Sequence, residues 1–407
     1  MKFIHTADLH LDTPYQGLQG AGTPQELWKK LRQGPYDSFH QLVNDALEQQ
    51  IDFMLIVGDI FDSQHQSVTA LNAFTTEMER LQDAQIPVYL SFGNHDFQAD
   101  DGRGLHLPAN VHIFPQEPTT LTLTLADGKT VAITGFSYGT RAVTTDKAAA
   151  FPYRGTADYQ IGMIHGAEKT GANNNYAPFT VNELLEKNYD YWALGHIHKR
   201  MELCASPLIE YPGNIQGRHK NETGEKGYLQ VDDSAGHLSK SFHETSPIIF
   251  SSLSFSLTAG MQDSELLNGL EQLLASQHYQ KLHLINIVCR ATEPVLNQAL
   301  EQNILTGISL AHLQDLLQEQ NLSEWVYELS LVEETSLNFT NLDQEYWEAT
   351  APEIFSSEHV LALGKKLFEK GFLFNEFQNE VAYTALQRDS ELLLRAATQR
   401  KEDLNED

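Results

Sequence analysis

IDFMLIVGD (51–59) is an almost unbroken apolar run that stops abruptly on Gly58-Asp59. A strand this uniformly apolar suits burial on both faces, as in a parallel sheet covered by other layers. On its N-terminal side, Phe39, Leu42, Val43, Ala46 and Leu47 recur at helical spacing and predict a helix over 36–50. On its far side a helix is expected over 66–84, then a second buried strand, IPVYLSFGNHD (86–96). The opening MKFIHTADLHL (1–11) reads as a third strand. Strand, helix, strand, helix, strand is the βαβαβ order of a layered α/β fold.

Downstream the pattern turns strand-rich. TLTLTLADGKTVAITGFSYG (120–139) reads as a hairpin around Asp127-Gly128. YQIGMIHG (159–166) and YDYWALGHIH (189–198) are further buried strands, each reaching histidine, and LIEYPGN (208–214) and GYLQVDD (227–233) close the series. The Gly/Asn-rich stretch over 167–178 reads as a loop. A boundary is expected near 245. Beyond it PIIFSSLSFSL, LHLINIVCRA (282–291) and WVYELSLVEE (325–334) read as strands, with a helix from about 263 capped by Asp263 or Ser264. The expected parts are a catalytic domain over 1–245, a small α+β domain over 246–340 and an acidic helical tail over 341–407.

A chain of 407 residues fits two or three domains. It has no run near the roughly 20 apolar residues needed to cross a bilayer, and MKFIHTADLHLD lacks the features of a secretory signal. Cys204 and Cys289 are too few for a disulfide scaffold and read as small buried residues in a reducing cytosol. A cytoplasmic location is therefore expected. The net charge of −28 lacks the basic footprint of a nucleic-acid binder. Residues 246–407 are the more acidic part, with 9 Lys+Arg against 25 Asp+Glu, so they are not expected to be the main phosphate-contacting surface.

Five polar motifs stand at the ends of apolar strands: Asp8-Leu9-His10, Gly58-Asp59, Gly93-Asn94-His95-Asp96, His165-Gly166 and Gly195-His196-Ile197-His198. The C-terminal ends of strands in an open α/β sheet converge on one rim, so these groups can meet in space. Histidines, aspartates and an asparagine supply mixed N and O donors, which suit Mn²⁺, Fe²⁺, Zn²⁺ or Co²⁺ rather than a thiolate-seeking ion. Residues two apart on an extended strand point the same way. One metal can thus take both members of D-x-H, or each of a pair can take one histidine of H-x-H. A bridging carboxylate must lie between two ions, and Asp59 at its tight turn is the natural candidate. Taken singly, D-x-H and GD are weak signals. Together and in this order they are specific. His5, His40, His65, His106, His112, His278 and His312 are expected to be ordinary core or surface residues.

D-x-H, GD, GNH(D/E), H and GH-x-H in this order resemble the calcineurin-like metallophosphoesterase superfamily over residues 1–235. The resemblance implies a four-layer α/β/β/α sandwich with a small α+β capping domain and a helical C-terminal tail. It implies two divalent ions, with Mn²⁺ the expected metal: one held by Asp8, His10, Asp59 and His198, the other by Asp59, Asn94, His165 and His196. His95 would stay off the metals and stabilise or protonate the leaving oxygen of a phosphoester, with Asp96 orienting its ring.

Gly58-Asp59-Ile60-Phe61-Asp62, followed by Ser63 rather than arginine, resembles the SbcD-like DNA exonuclease branch, as do Asp96 in GNHD and the opening TADLHLD. Tyr211-Pro212-Gly213-Asn214 departs from the YPGS version of that branch and, with Arg218-His219, looks more like the YhaO group of bacterial DNA-repair exonucleases. The resemblance implies DNA as substrate, an SMC-like coiled-coil ATPase of the YhaN/SbcC kind as partner, and a homodimer. Residues 374–402, with Phe377, Val381, Tyr383, Leu386 and Leu392–Leu394, would dock on that partner or pack on their own domain. A partner that supplies DNA affinity would reconcile a nuclease with this acidic balance. Arg218 and His219 are candidate phosphate contacts. The competing readings are a phosphodiesterase of cyclic or small nucleotides and a non-catalytic scaffold for an ATPase.

Overall fold

The computed structural model describes residues 1–15, 18, 22–63, 66–98, 106–169, 176–291, 298–318, 323–333, 346, 350–365, 383, 386–387 and 390. Two compact units divide the chain: Met1–Tyr15 with Gln25–Phe250, and Gln16–Pro24 with Ser251–Asp407.

The first unit holds two six-stranded sheets. One runs β12-β11-β1-β2-β3-β4, with β1 Lys2–Thr6, β2 Phe53–Val57, β3 Val88–Ser91, β4 Val111–Ile113, β11 Gly227–Asp232 and β12 Ser239–Glu244. The other runs β5-β6-β7-β8-β10-β9, with β5 Thr119–Thr124, β6 Thr130–Gly135, β7 Tyr159–His165, β8 Tyr191–Gly195, β9 Met201–Ala205 and β10 Leu208–Tyr211. The strands that reach the polar motifs are paired in parallel: β1 with β2, β2 with β3, and β7 with β8. Their C-terminal ends therefore lie side by side.

Side-chain alternation makes the layers. Phe3, Phe53, Leu55 and Val57 point from the first sheet into an apolar layer shared with Val131, Ile133, Ile161, Met163 and Tyr191 of the second. Ile4, Met54, Ile56, Val88 and Leu90 point the other way, onto α1 (Gln25–Glu48) and α2 (Val68–Asp83). That double covering is why β2 is apolar at every position. On the outer face of the second sheet, Trp192, Leu194 and Ile209 pack with Phe151, Phe179 and Leu184, the last on α3 (Val181–Glu186). Each fully buried side chain of this size contributes about 1.5–3 kcal/mol of transfer free energy. The layering is the α/β/β/α order expected.

Several details differ from expectation. Helix α1 starts at Gln25, ahead of the predicted position 36, and carries Pro35 inside it. Proline lacks the N–H of an interior helical residue and normally ends a helix. Here Leu27 and Leu31 lie buried along with Phe39 and Leu42, so the packed face extends across the proline. The short strands β4, β9 and β12, only partly buried, have no clear apolar signal in sequence.

The third sheet has three strands, β13 (Ile248–Leu257), whose first three residues fall in the first unit, and β14 (Leu282–Ala291) and β15 (Glu324–Glu333) of the second, and in it β14 and β15 are parallel. Helices α4 (Asp263–Ala275), α5 (Gln298–Leu305) and α6 (Ile308–Gln318) accompany it. The α4 cap is Gln262, locked in a capping box with Glu265, rather than Asp263 or Ser264. Cys289 is buried, whereas Cys204 is partly exposed; neither forms a disulfide. Residues 350–354 and Ser357–Leu363 are helical, while nearly all of the proposed docking segment 374–402 lies outside the described residues. No helix among the described residues is long and apolar enough to cross a membrane.

Candidate metal centre

All seven ligands named from the sequence converge at the strand ends. Asp8 and His10 follow β1, Asp59 follows β2, Asn94 follows β3, His165 ends β7, and His196 and His198 follow β8. Backbone hydrogen bonds stitch these ends together: Asp8 N–H donates to Gly58 O at 3.1 Å, His10 N–H to Asp59 O at 3.0 Å, and Gly58 N–H to Ser91 O at 3.1 Å. The turns that aim the side chains use left-handed backbone at non-glycine residues, with φ of 52° at Asp8, 43° at His10, 50° at Asp59 and 95° at His196. Such conformations are uncommon and cluster at functional sites. Gly93 leaves room for the assembly, since a Cβ there would collide with the Asp59 carboxylate and come within 2.7 Å of His165 Nε2.

Two ligand groups lie on either side of Asp59. Asp8, His10 and His198 each offer an atom within 4.8 Å of the others, and so do Asp59, His165 and His196. Asp59 Oδ2 is 3.4 Å from His165 Nε2 and 3.7 Å from His10 Nε2. Burial by itself would push the Asp59 carboxyl up, but His165 beside it holds it well below the usual range. A third grouping, His10, Asp62 and His95, adjoins the first.

The donor chemistry fits metal ions. His198 Nδ1 lies 2.6 Å from Glu222 Oε1, which places the proton on Nδ1 and leaves Nε2 a lone pair. His10 Nε2 faces the Arg218 guanidinium at 3.1 Å, while its buried Nδ1 has no hydrogen-bond partner. His10 Nε2 and His198 Nε2 meet at 3.0 Å. On the other side His165 Nδ1 donates to Val57 O at 3.0 Å, and its Nε2 lies 3.0 Å from Asn94 Oδ1. His196 Nδ1 is also 3.0 Å from Asn94 Oδ1. These imidazole nitrogens and carboxylate and amide oxygens converge on one buried volume, the mixed N/O set that a divalent ion takes. Burial would lower the His165 pKa, yet the Asp59 carboxylate beside it carries it up to about 9.

His95 sits at the rim of the first group. Its backbone N–H donates to Asp59 Oδ1 at 2.9 Å, and its ring stands edge-on to His10 at 4.9 Å between centroids. Asp96, expected to orient that ring, does something else. Its carboxylate accepts the backbone N–H groups of Ile60 at 2.7 Å, Phe61 at 3.2 Å and Gly93 at 2.8 Å, so it ties two ligand-bearing turns together. The His95 ring is held by the Asp62 carbonyl, 3.0 Å from Nδ1.

Two residues of the site, Glu222 and Tyr176, were not singled out in sequence, and Asp62 was named only as the end of the GDIFD motif. Glu222, in a polar loop after β10, is buried against His198. Tyr176 lies against His196 with centroids 4.4 Å apart and the rings tilted by 34°, and it is partly exposed. Asp62 pairs with Arg218. Arg218, a candidate from sequence, is at the site; His219 touches Glu222 at 3.2 Å instead of facing the cluster. His5, given no role, is a core residue: it accepts from Tyr191 OH at 2.8 Å and donates to Leu194 O at 3.0 Å.

The family model for calcineurin-like phosphoesterases matches residues 1–200. The chain is 34% identical over 347 residues to the uncharacterized metallophosphoesterase YhaO of Bacillus subtilis, a match covering 84% of each chain. It is 30% identical over 210 residues to the DNA double-strand break repair protein Mre11 of Thermoplasma acidophilum, covering 48% of this chain and 53% of that one. With Mre11 of Methanocaldococcus jannaschii it shares 27% identity over 251 residues, 58% of this chain and 64% of that one.

Proposed function

This chain belongs to the calcineurin-like metallophosphoesterases, and we propose that it is a two-metal phosphodiesterase that cleaves DNA. The observation that carries the reading is the place of Asp59, whose buried carboxylate belongs to the group with His165 and His196 and also lies 3.7 Å from His10 of the other group. Asp8, His10, Asp59 and His198 would hold one ion, and Asp59, Asn94, His165 and His196 the other. Mn²⁺ suits this N/O donor set. When bound, such a pair supplies Lewis acidity and neutralises charge at a phosphoryl group.

The remaining side chains act on the substrate. His95, its Nδ1 engaged by Asp62 O, keeps Nε2 to hold or give a proton at the departing oxygen. The Arg218 guanidinium stands beside His10, where its planar fork can bind a nonbridging phosphate oxygen. The partly exposed ring of Tyr176 offers a stacking surface for a base.

The DNA assignment is supported by similarity to two proteins named for double-strand break repair and by the GDIFD sequence over 58–62. The net charge of −28 favours work beside a partner that brings its own DNA affinity, and an SMC-like coiled-coil ATPase fits that part. Exonuclease action in DNA repair, a cytoplasmic location and a homodimer complete the proposal.

The test is Mn²⁺-dependent degradation of end-labelled linear duplex DNA, run beside 2′,3′- and 3′,5′-cyclic nucleotides, wild type against Asp59→Ala. DNA shortening by the wild type alone is the expected result. Cyclic-nucleotide turnover with intact DNA would give the site to small nucleotides. No turnover of any phosphoester would leave a scaffold.

A further inference from the structure

We propose that Glu222 is the positioning residue of the ion-binding group formed by Asp8, His10 and His198, and that it couples this group to the loop bearing Arg218. The inference rests on the two-metal reading.

The Glu222 carboxylate is 8% exposed, and both of its oxygens are engaged. Oε1 faces His198 Nδ1 at 2.6 Å and His219 Nε2 at 3.2 Å. Oε2 accepts from Asn214 Nδ2 at 2.6 Å and from the Arg218 backbone N–H at 2.8 Å. One oxygen therefore fixes an imidazole, and the other fixes the 214–218 turn. Glu222 belongs to neither ligand group itself. Imidazole has two tautomers, and only the one with Nδ1–H presents an Nε2 lone pair toward His10 and Asp8. A carboxylate on Nδ1 selects that tautomer, sets the ring plane and makes Nε2 more basic. Losing such a partner typically costs about 10–100-fold in metal affinity. The second oxygen adds a consequence for substrate. The Arg218 backbone is pinned by the same carboxylate, so ligand geometry and the phosphate-facing guanidinium are set together.

The experiment uses the full chain and Mn²⁺. Calorimetric titration and bound-metal analysis are run on the wild type and on Glu222→Gln, and ¹⁵N NMR reads the His198 imidazole in metal-free protein. The wild type is expected to bind two ions and to carry the His198 proton on Nδ1. Glu222→Gln is expected to lose about 10–100-fold at one ion while keeping the other, with the His198 tautomers becoming mixed. A purely structural role would lower the melting temperature without moving that tautomer. Unchanged Mn²⁺ affinity in the variant would overturn the proposal. So would a wild-type His198 unprotonated at Nδ1, a result that stands even if the variant fails to fold. A wild type that takes up no Mn²⁺ while holding the Nδ1 proton would overturn the two-metal reading instead.

Discussion

Asp59 holds His95 by its main chain: Oδ1 accepts the His95 backbone N–H at 2.9 Å, while Oδ2 lies between His165 and His10. One carboxylate thus joins the two ligand groups and seats the group that would protonate the leaving oxygen. Asp59→Ala is expected to lower bound Mn²⁺ from two ions per chain toward none and to abolish turnover. Metal analysis of the dialysed protein checks the first, and a DNA assay the second.

The His95 side chain makes its ring contact with the Asp62 carbonyl and is not among the seven proposed ligands. His95→Ala should therefore keep both ions and lose about 10²–10⁴-fold in turnover, the usual worth of general acid–base help. Single-turnover rates at saturating Mn²⁺, with bound metal measured in parallel, separate this outcome from loss of the site.

Tyr176 packs against His196 and is partly exposed. Stacking of a base on an aromatic ring is worth about 1–3 kcal/mol, roughly 5–150-fold. Tyr176→Ala should weaken DNA binding by that order, and Tyr176→Phe should not. The comparison is of KM on a DNA oligonucleotide and on bis-p-nitrophenyl phosphate. A rise confined to DNA is the expected result.

The five strand-end motifs were legible because each interrupts an apolar run, and parallel pairing carries the interruptions to one rim. Asp8, His10, Asp59, Asn94, His165, His196 and His198 all meet there. Contacts that depend on loop paths were not legible. Glu222 reaches His198 only because the chain between them makes β9 and β10 and then returns. Asp96 sits one residue from His95, yet its side chain turns inward to three backbone N–H groups, a choice made by the buried turns of Ile60 and Gly93. Helix α1 starts earlier than expected, and burial of Leu27 and Leu31 outweighs the local penalty of Pro35 inside it.

Glu183 gives a pH-dependent prediction away from the metals. It forms a capping box with Thr180 at the start of α3, and Lys169 Nζ donates to it at 3.1 Å. Burial alone would raise its carboxyl, but the Thr180 hydroxyl and Lys169 hold it at about 2. A depressed folded pKa means stability that is full above the unfolded value near 4.5 and fades as pH falls through about 2. Urea denaturation of wild type and Glu183→Gln should show a gap at pH 6 that closes as pH drops from about 4.5 toward 2.

The left-handed turns at Asp8, His10, Asp59 and His196 have one more consequence. Glycine would sit in all four without steric penalty, at the expense of every donor atom they supply. A directed-evolution campaign that rewards only heat resistance should therefore erode these positions first, and its sturdiest descendants should be idle ones.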